Sequence, residues 1–163
     1  MRKLNTHYVL MVRIVFIFLV SFSPLLLAQP TLLELQRAAN EGDPWAQLNL
    51  AAAYDNGFAG AAKDPVVAVK WYRRSAEQGV VKAQFNLAHC LGTGYGTAQD
   101  LVGSRHWMLL AAQQGMADAQ YLLGVMLADG LGGAVDLGAA RFWLHKAVDG
   151  GNKDAAEHLK TLN

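Results

Sequence analysis

GDPWAQLNLAAAYDNGFAGAAKDPVVAVKWYRRSAEQG, residues 42–79, decides the fold, because the chain that follows restates it twice. Ala46-Gln47 returns as Ala83-Gln84 and Ala119-Gln120, and Trp71 returns as Trp107 and Trp143. Asp64, Asp100 and Asp136 keep the same spacing of 36, as do Gly79, Gly115 and Gly151. A fixed period of this size, shared by several unlike residue types, marks an array of helical repeats in which each unit buries its apolar face on its neighbours.

Within each unit two helices are expected. Asp43 caps the first, and Pro44 sits at its opening position, where a missing amide costs nothing. Gly57, Gly94 and Gly130 close the first helices. Glycine-rich loops follow (GFAGAAK, GYGTAQ, GLGGAV), the first one residue longer than the others, and this accounts for the single step of 37 between Ala46 and Ala83. Asp64, Asp100 and Asp136 then cap second helices over Pro65 to Gln78, Leu101 to Gln114 and Leu137 to Asp149. In each of these a small residue (Ala68, Ser104, Ala140) precedes the tryptophan by three, so helices approach closely and the indole fills the wedge between pairs.

Outward from this frame, residues 31–41 read as a lone second helix, opened by a capping box of Thr31 and Glu34. Residues 154–162 read as a lone first helix, more polar, as a capping element must be. The expectation is an all-α solenoid of antiparallel helix pairs: three full repeats at about 43–79, 80–115 and 116–151 between two capping helices, in one domain spanning 29–163.

Residues 1–28 read as an export signal, with Arg2, Lys3 and Arg13 before the apolar run Ile14 to Leu27, and Ala28 as the cleavage residue. Leu26 stands where a small residue is usual, which leaves an uncleaved anchor as the alternative. Removal leaves 11 basic against 13 acidic residues, with no clustered cations to neutralise phosphates, so nucleic acid is not an expected partner. A bacterial protein of the periplasm or outside the cell, without membrane attachment once the signal is gone, is the expected setting.

Three copies of Ala-Gln, Leu, Gly or Ala, an aromatic or Leu, Gly, Asp, Ala, Trp and Ala-x-x-Gly resemble the Sel-1-like repeat, a relative of the tetratricopeptide repeat. The first copy carries Ala46-Gln47, Leu50-Ala51, Tyr54, Gly57, Asp64, Ala68, Trp71, Ala76 and Gly79. Leu91 and Leu127 replace the expected tyrosine, and Ala51 and Ala88 replace the glycine kept at Gly124. The resemblance implies a right-handed superhelix serving as a monomeric protein-binding scaffold, in envelope assembly, regulation or immunity-type inhibition of a secreted toxin. Some cysteine-rich relatives bind or slowly hydrolyse β-lactams, which supplies the alternative function. This chain has one cysteine, Cys90, so it lacks their paired cysteines.

In the first helices Ala46, Leu50 and Tyr54 form the core stripe. The opposite face carries Trp45, Leu48, Ala52 and Asp55, then Lys82, Phe85 and His89, then Asp118, Tyr121, Val125 and Asp129. In tetratricopeptide-like arrays this face lines the concave groove, and aromatic anchors with a charged rim suit a protein partner. A tight superhelix that buries these residues against one another is the competing arrangement. No catalytic, metal or cofactor site is expected. The four histidines after the signal are dispersed without a short-spaced pair, and Ser75 and Ser104 lie at helix-packing positions outside any nucleophile elbow.

Overall fold

The computed structural model describes residues 30–162, so the expected export signal at 1–28 lies outside the described residues. Among these residues the chain forms eight helices and no strand: α1 (Leu32–Asn40), α2 (Pro44–Asn56), α3 (Pro65–Glu77), α4 (Val81–Thr93), α5 (Leu101–Gln113), α6 (Ala117–Asp129), α7 (Leu137–Asp149) and α8 (Lys153–Thr161). Each packs on the next in chain order, which is the all-α solenoid.

Local chemistry sets the helix ends. Asp64, Asp100 and Asp136 accept from the amides of Val67, Gly103 and Ala139 at 3.0, 2.8 and 2.9 Å. Gly57, Gly94 and Gly130 close α2, α4 and α6 at φ 76°, 74° and 71°, a conformation that only glycine adopts without strain. The capping box of Thr31 and Glu34 is formed. Several boundaries differ from expectation by one residue, including both ends of α1 and the end of α8 at Thr161. Gln78 and Gln114 are C-caps, so α3 and α5 end one residue early, and α8 starts at Lys153 because the Asn152 side chain accepts from the Ala155 amide at 3.1 Å.

The core lies at the junctions between units. Leu35, Ala39, Leu50 and Ala53 bury one another where α1 meets α2. Leu48, Tyr72, Leu87 and Cys90 do so between the first and second units, and Met108, Leu123, Met126 and Ala140 between the second and third. Trp71 and Trp107 are half-buried, each touching two of these clusters, so the indoles bridge neighbouring junctions.

One contact recurs at the first three junctions, and Ala156 takes its place where α7 meets α8. The buried side chains of Gln47, Gln84 and Gln120 donate to the carbonyls of Ala39, Ala76 and Ala112, at 3.1, 3.3 and 3.1 Å. Each bond ties the first helix of a unit to the end of the second helix before it, where carbonyls lack intrahelical partners. Gln78 and Gln114 extend the link by donating to the side-chain oxygens of Gln47 and Gln84, both at 2.8 Å. Ser75 and Ser104 fasten the helix pairs internally, donating to the carbonyls of Pro44 and Ala88 at 2.7 Å.

Gly124 marks a close approach of α6 to α7. A Cβ there would lie 2.6 Å from Cγ of Leu144, a fully buried side chain, and 3.2 Å from the Ala140 carbonyl oxygen. Alanine gains about 1 kcal/mol over glycine in helix propensity, but overpacking this contact costs more. Gly124→Ala is therefore expected to destabilise the array by about 1–2 kcal/mol net in urea unfolding. Gly138→Ala, whose nearest contact is an ordinary 3.4 Å to the Asp136 side chain, should leave stability unchanged or raised.

Candidate partner-binding face

Helices α2, α4 and α6 carry the face read from the sequence, and they bury its members unequally. Trp45 is 60% exposed at the start of α2, where its backbone N–H donates to the Asp43 cap at 2.8 Å. Lys82, His89, Asp118 and Asp129 are exposed. Ala52, Asp55, Phe85, Tyr121 and Val125 are half-buried. Leu48 is 7% exposed and belongs to the core between the first and second units, so its side chain is part of the frame and is corrected out of the face.

The half-buried aromatics are also packing groups. Phe85 lies against the cluster of Met108, Leu123 and their neighbours, and Tyr121 lies against Leu144, Ala147 and Ala155. The Tyr121 ring meets His158 edge-on at 6.1 Å, a favourable aromatic geometry. Asp118 accepts from the Asn152 side chain at 2.9 Å, which joins the face to the cap of α8.

Two of the expected residues, Asp55 and His89, converge on a cleft of about 300 Å³ between the first and second units. Asn56, Lys63, Tyr72, Asn86, Cys90 and Tyr95 complete its lining. The Tyr72 hydroxyl, on an otherwise buried side chain, donates to the Asp55 carboxylate at 3.1 Å. Burial, and then the Asp55 charge, push the Tyr72 hydroxyl well above its ordinary range, so it stays a donor. The Lys63 ammonium stands 5.7 Å from the centre of the Tyr95 ring, within cation–π reach.

Apart from Asp55 and His89, these lining residues were not anticipated as a site. The signal lay in the register: Asp55 corresponds to Gly92 and Ala128, Tyr72 to Met108 and Leu144, and Asn86 to Leu122. Asp55 and Tyr72 thus replace small or apolar residues at this junction, whereas Asn86 also has a like counterpart in Asn49 of the first repeat. Binding chemistry fits the cleft better than covalent chemistry. Burial, and then the Asp55 charge, raise the Cys90 thiol to about 11, leaving little thiolate at neutral pH. The Ser75 and Ser104 hydroxyls are buried and committed to helix carbonyls.

The family model described as Sel1 repeat matches residues 46–80, 81–116 and 117–152. The chain belongs to the Sel1 repeat family. The crystal structure of a Sel1 repeat protein from Oxalobacter formigenes is similar at 35% identity and a TM-score of 0.72, over 80% of this chain and 97% of that one. The structure of c5321, a protective antigen of uropathogenic Escherichia coli with the same repeat fold, is similar at 33% identity and a TM-score of 0.77. That match covers 80% of this chain and 28% of c5321. Cysteine rich protein B of Helicobacter pylori shares the fold, at 14% identity and a TM-score of 0.58 over 78% of this chain and 96% of that one. No curated protein sequence matches the chain. Sel1 repeats mediate protein interaction, and the fold is typically a non-catalytic scaffold.

Raising an acid's pKa on folding means that the folded state favours the protonated form. The contribution of Cys90 to stability is therefore complete below pH 9.0, its ordinary value, and is lost as pH climbs towards about 11. At pH 8 iodoacetamide should modify Cys90 about a hundredfold more slowly in the folded chain than in urea. Equal rates would mean an accessible, ordinary thiol.

Proposed function

We propose that this protein is an exported, non-catalytic scaffold that holds a protein partner along the first-helix face, across Trp45, the Asp55 cleft, Lys82, His89 and Asp118. The reading rests on one observation above all: a polar cleft around the half-buried Asp55 opens between the first and second units, on a face that also carries an indole left 60% exposed. Frame positions repeat with the period, whereas these positions do not. That is how a repeat array separates stability from recognition. The exposed Trp45 supplies an anchor, and the charged side chains along the face supply a polar rim.

Export follows from the charged and apolar character of residues 1–28. Among the described residues no helix is long and apolar enough to cross a membrane. The reading accommodates a part in envelope assembly, in regulation, or in inhibition of a secreted toxin.

The test is capture of a partner from the envelope fraction of the source organism by the wild-type protein, with Trp45→Ala/His89→Ala as the comparison. Phe85 and Tyr121 are unsuitable as controls because they pack against the core, and Phe85→Ala should itself cost about 2 kcal/mol or more. A partner held by wild type and released at least tenfold more readily by the folded double variant is the expected result. Equal retention by both would move the binding site elsewhere.

A further inference from the structure

A second surface lies on α3, away from the residues just assigned. Lys70, Arg73 and Arg74 line a cleft of about 510 Å³ with Val66, Val69, Glu77 and the backbone turn at Gly96 and Thr97. All three cations are exposed, and among the described residues none of them forms an ion pair, the two salt bridges being Arg37–Glu41 and Lys160–Glu157. The Arg74 guanidinium stacks on the Trp71 ring at 4.5 Å, which orients it while leaving its N–H edge for a ligand.

The cluster belongs to the first unit alone. Lys70 corresponds to His106 and Phe142, Arg73 to Leu109 and His145, and Arg74 to Leu110 and Lys146. Only Glu77 opposes the three positive charges within the cleft. After signal removal the rest of the chain is slightly acidic, so the cluster is a local feature and not part of a general basic character.

We propose that this cleft docks an extended, acidic segment of a partner protein. Lys70 and Arg74 are one helical turn apart, about 6 Å along the axis. Carboxylates two residues apart on an extended chain are about 6.6 Å apart on the same side, which suits that spacing. Arginine N–H forks take carboxylates two bonds at a time. At the N-terminal side of the charges, Val66 at 53% exposure and the buried Val69, both in the cleft lining, offer apolar contact to neighbouring side chains. A bilayer surface needs a protruding, flat array of cations, whereas these line a recess walled by the Gly96–Thr97 turn.

The probe is a fluorescein-labelled eight-residue peptide of alternating glutamate and valine, titrated into the full chain at low salt and followed by anisotropy. Saturable binding is expected, weakened at least tenfold when glutamine replaces glutamate in the peptide, and weakened similarly by Lys70→Glu/Arg73→Glu. Lys153→Glu, an exposed cation on α8 outside both surfaces, should bind as wild type does. The titration reads the α3 cleft alone, so failure of the first-helix reading leaves this result intact. Circular dichroism checks that the variants keep their helices, and Lys70→Gln/Arg73→Gln provides a milder replacement should the charge reversal unfold. Absence of saturable binding overturns the proposal. So does equal binding by the charge-reversed or neutralised variant, or tighter binding to phosphatidylglycerol vesicles or an oligonucleotide of equal charge.

Discussion

The buried glutamine of the first helix in each full repeat is the contact on which the array depends. A solenoid has no long-range sheet or central core to hold distant parts together, so its order propagates only from neighbour to neighbour. Hydrophobic contact at each junction supplies most of the attraction but little direction. The glutamine supplies direction: its side chain, in a residue only 4–7% exposed, reaches one particular helix-end carbonyl, which it shares with the backbone N–H of Gly42, Gly79 or Gly115. A buried amide left without that acceptor would cost roughly 1–3 kcal/mol, which penalises any slip of one unit against the next. Gln78 and Gln114 bond to the same amides, so the first two junctions each hold a short polar chain inside an apolar interface.

That frame leaves other positions free to vary. Asp55, Tyr72 and Asn86 gather at one junction, and Lys70, Arg73 and Arg74 lie along one second helix. Neither set has counterparts of the same chemistry in both other units. The two clefts differ in kind. One holds a carboxylate fixed by a buried tyrosine, and the other holds three cations that form no ion pair among the described residues, with Glu77 as the one carboxylate of its lining. A scaffold carrying both can engage two segments of one partner, or two partners, without altering its frame.

Most of the fold was legible in the sequence because its determinants are local and repeated. The aspartate caps, the glycine closures and the period place eight helices to within a residue or two. The face was less legible. Helical geometry puts Leu48 and Phe85 on the side opposite the core stripe, but a neighbouring unit covers that side too, and a single helix cannot show how far. Leu48 is buried for this reason and Phe85 is half-buried. The role of the repeated glutamine was also hidden, since spacing reveals that Gln47, Gln84 and Gln120 recur but not which carbonyl each meets. The cleft was missed because its lining comes from α2, the following loop, α3, α4 and the loop after it, and only packing brings them together.

Native-state hydrogen exchange on Gln84→Leu tests most directly whether the buried glutamine couples the units. The substitution keeps an apolar junction of similar volume and removes the donor to Ala76. If the bond couples the units, amides on both sides of the junction, in α3 and α4 and outward into α2 and α5, should exchange about ten- to a hundredfold faster together. Faster exchange confined to the first turns of α4, or none, would contradict that coupling and leave apolar packing as sufficient to hold the array.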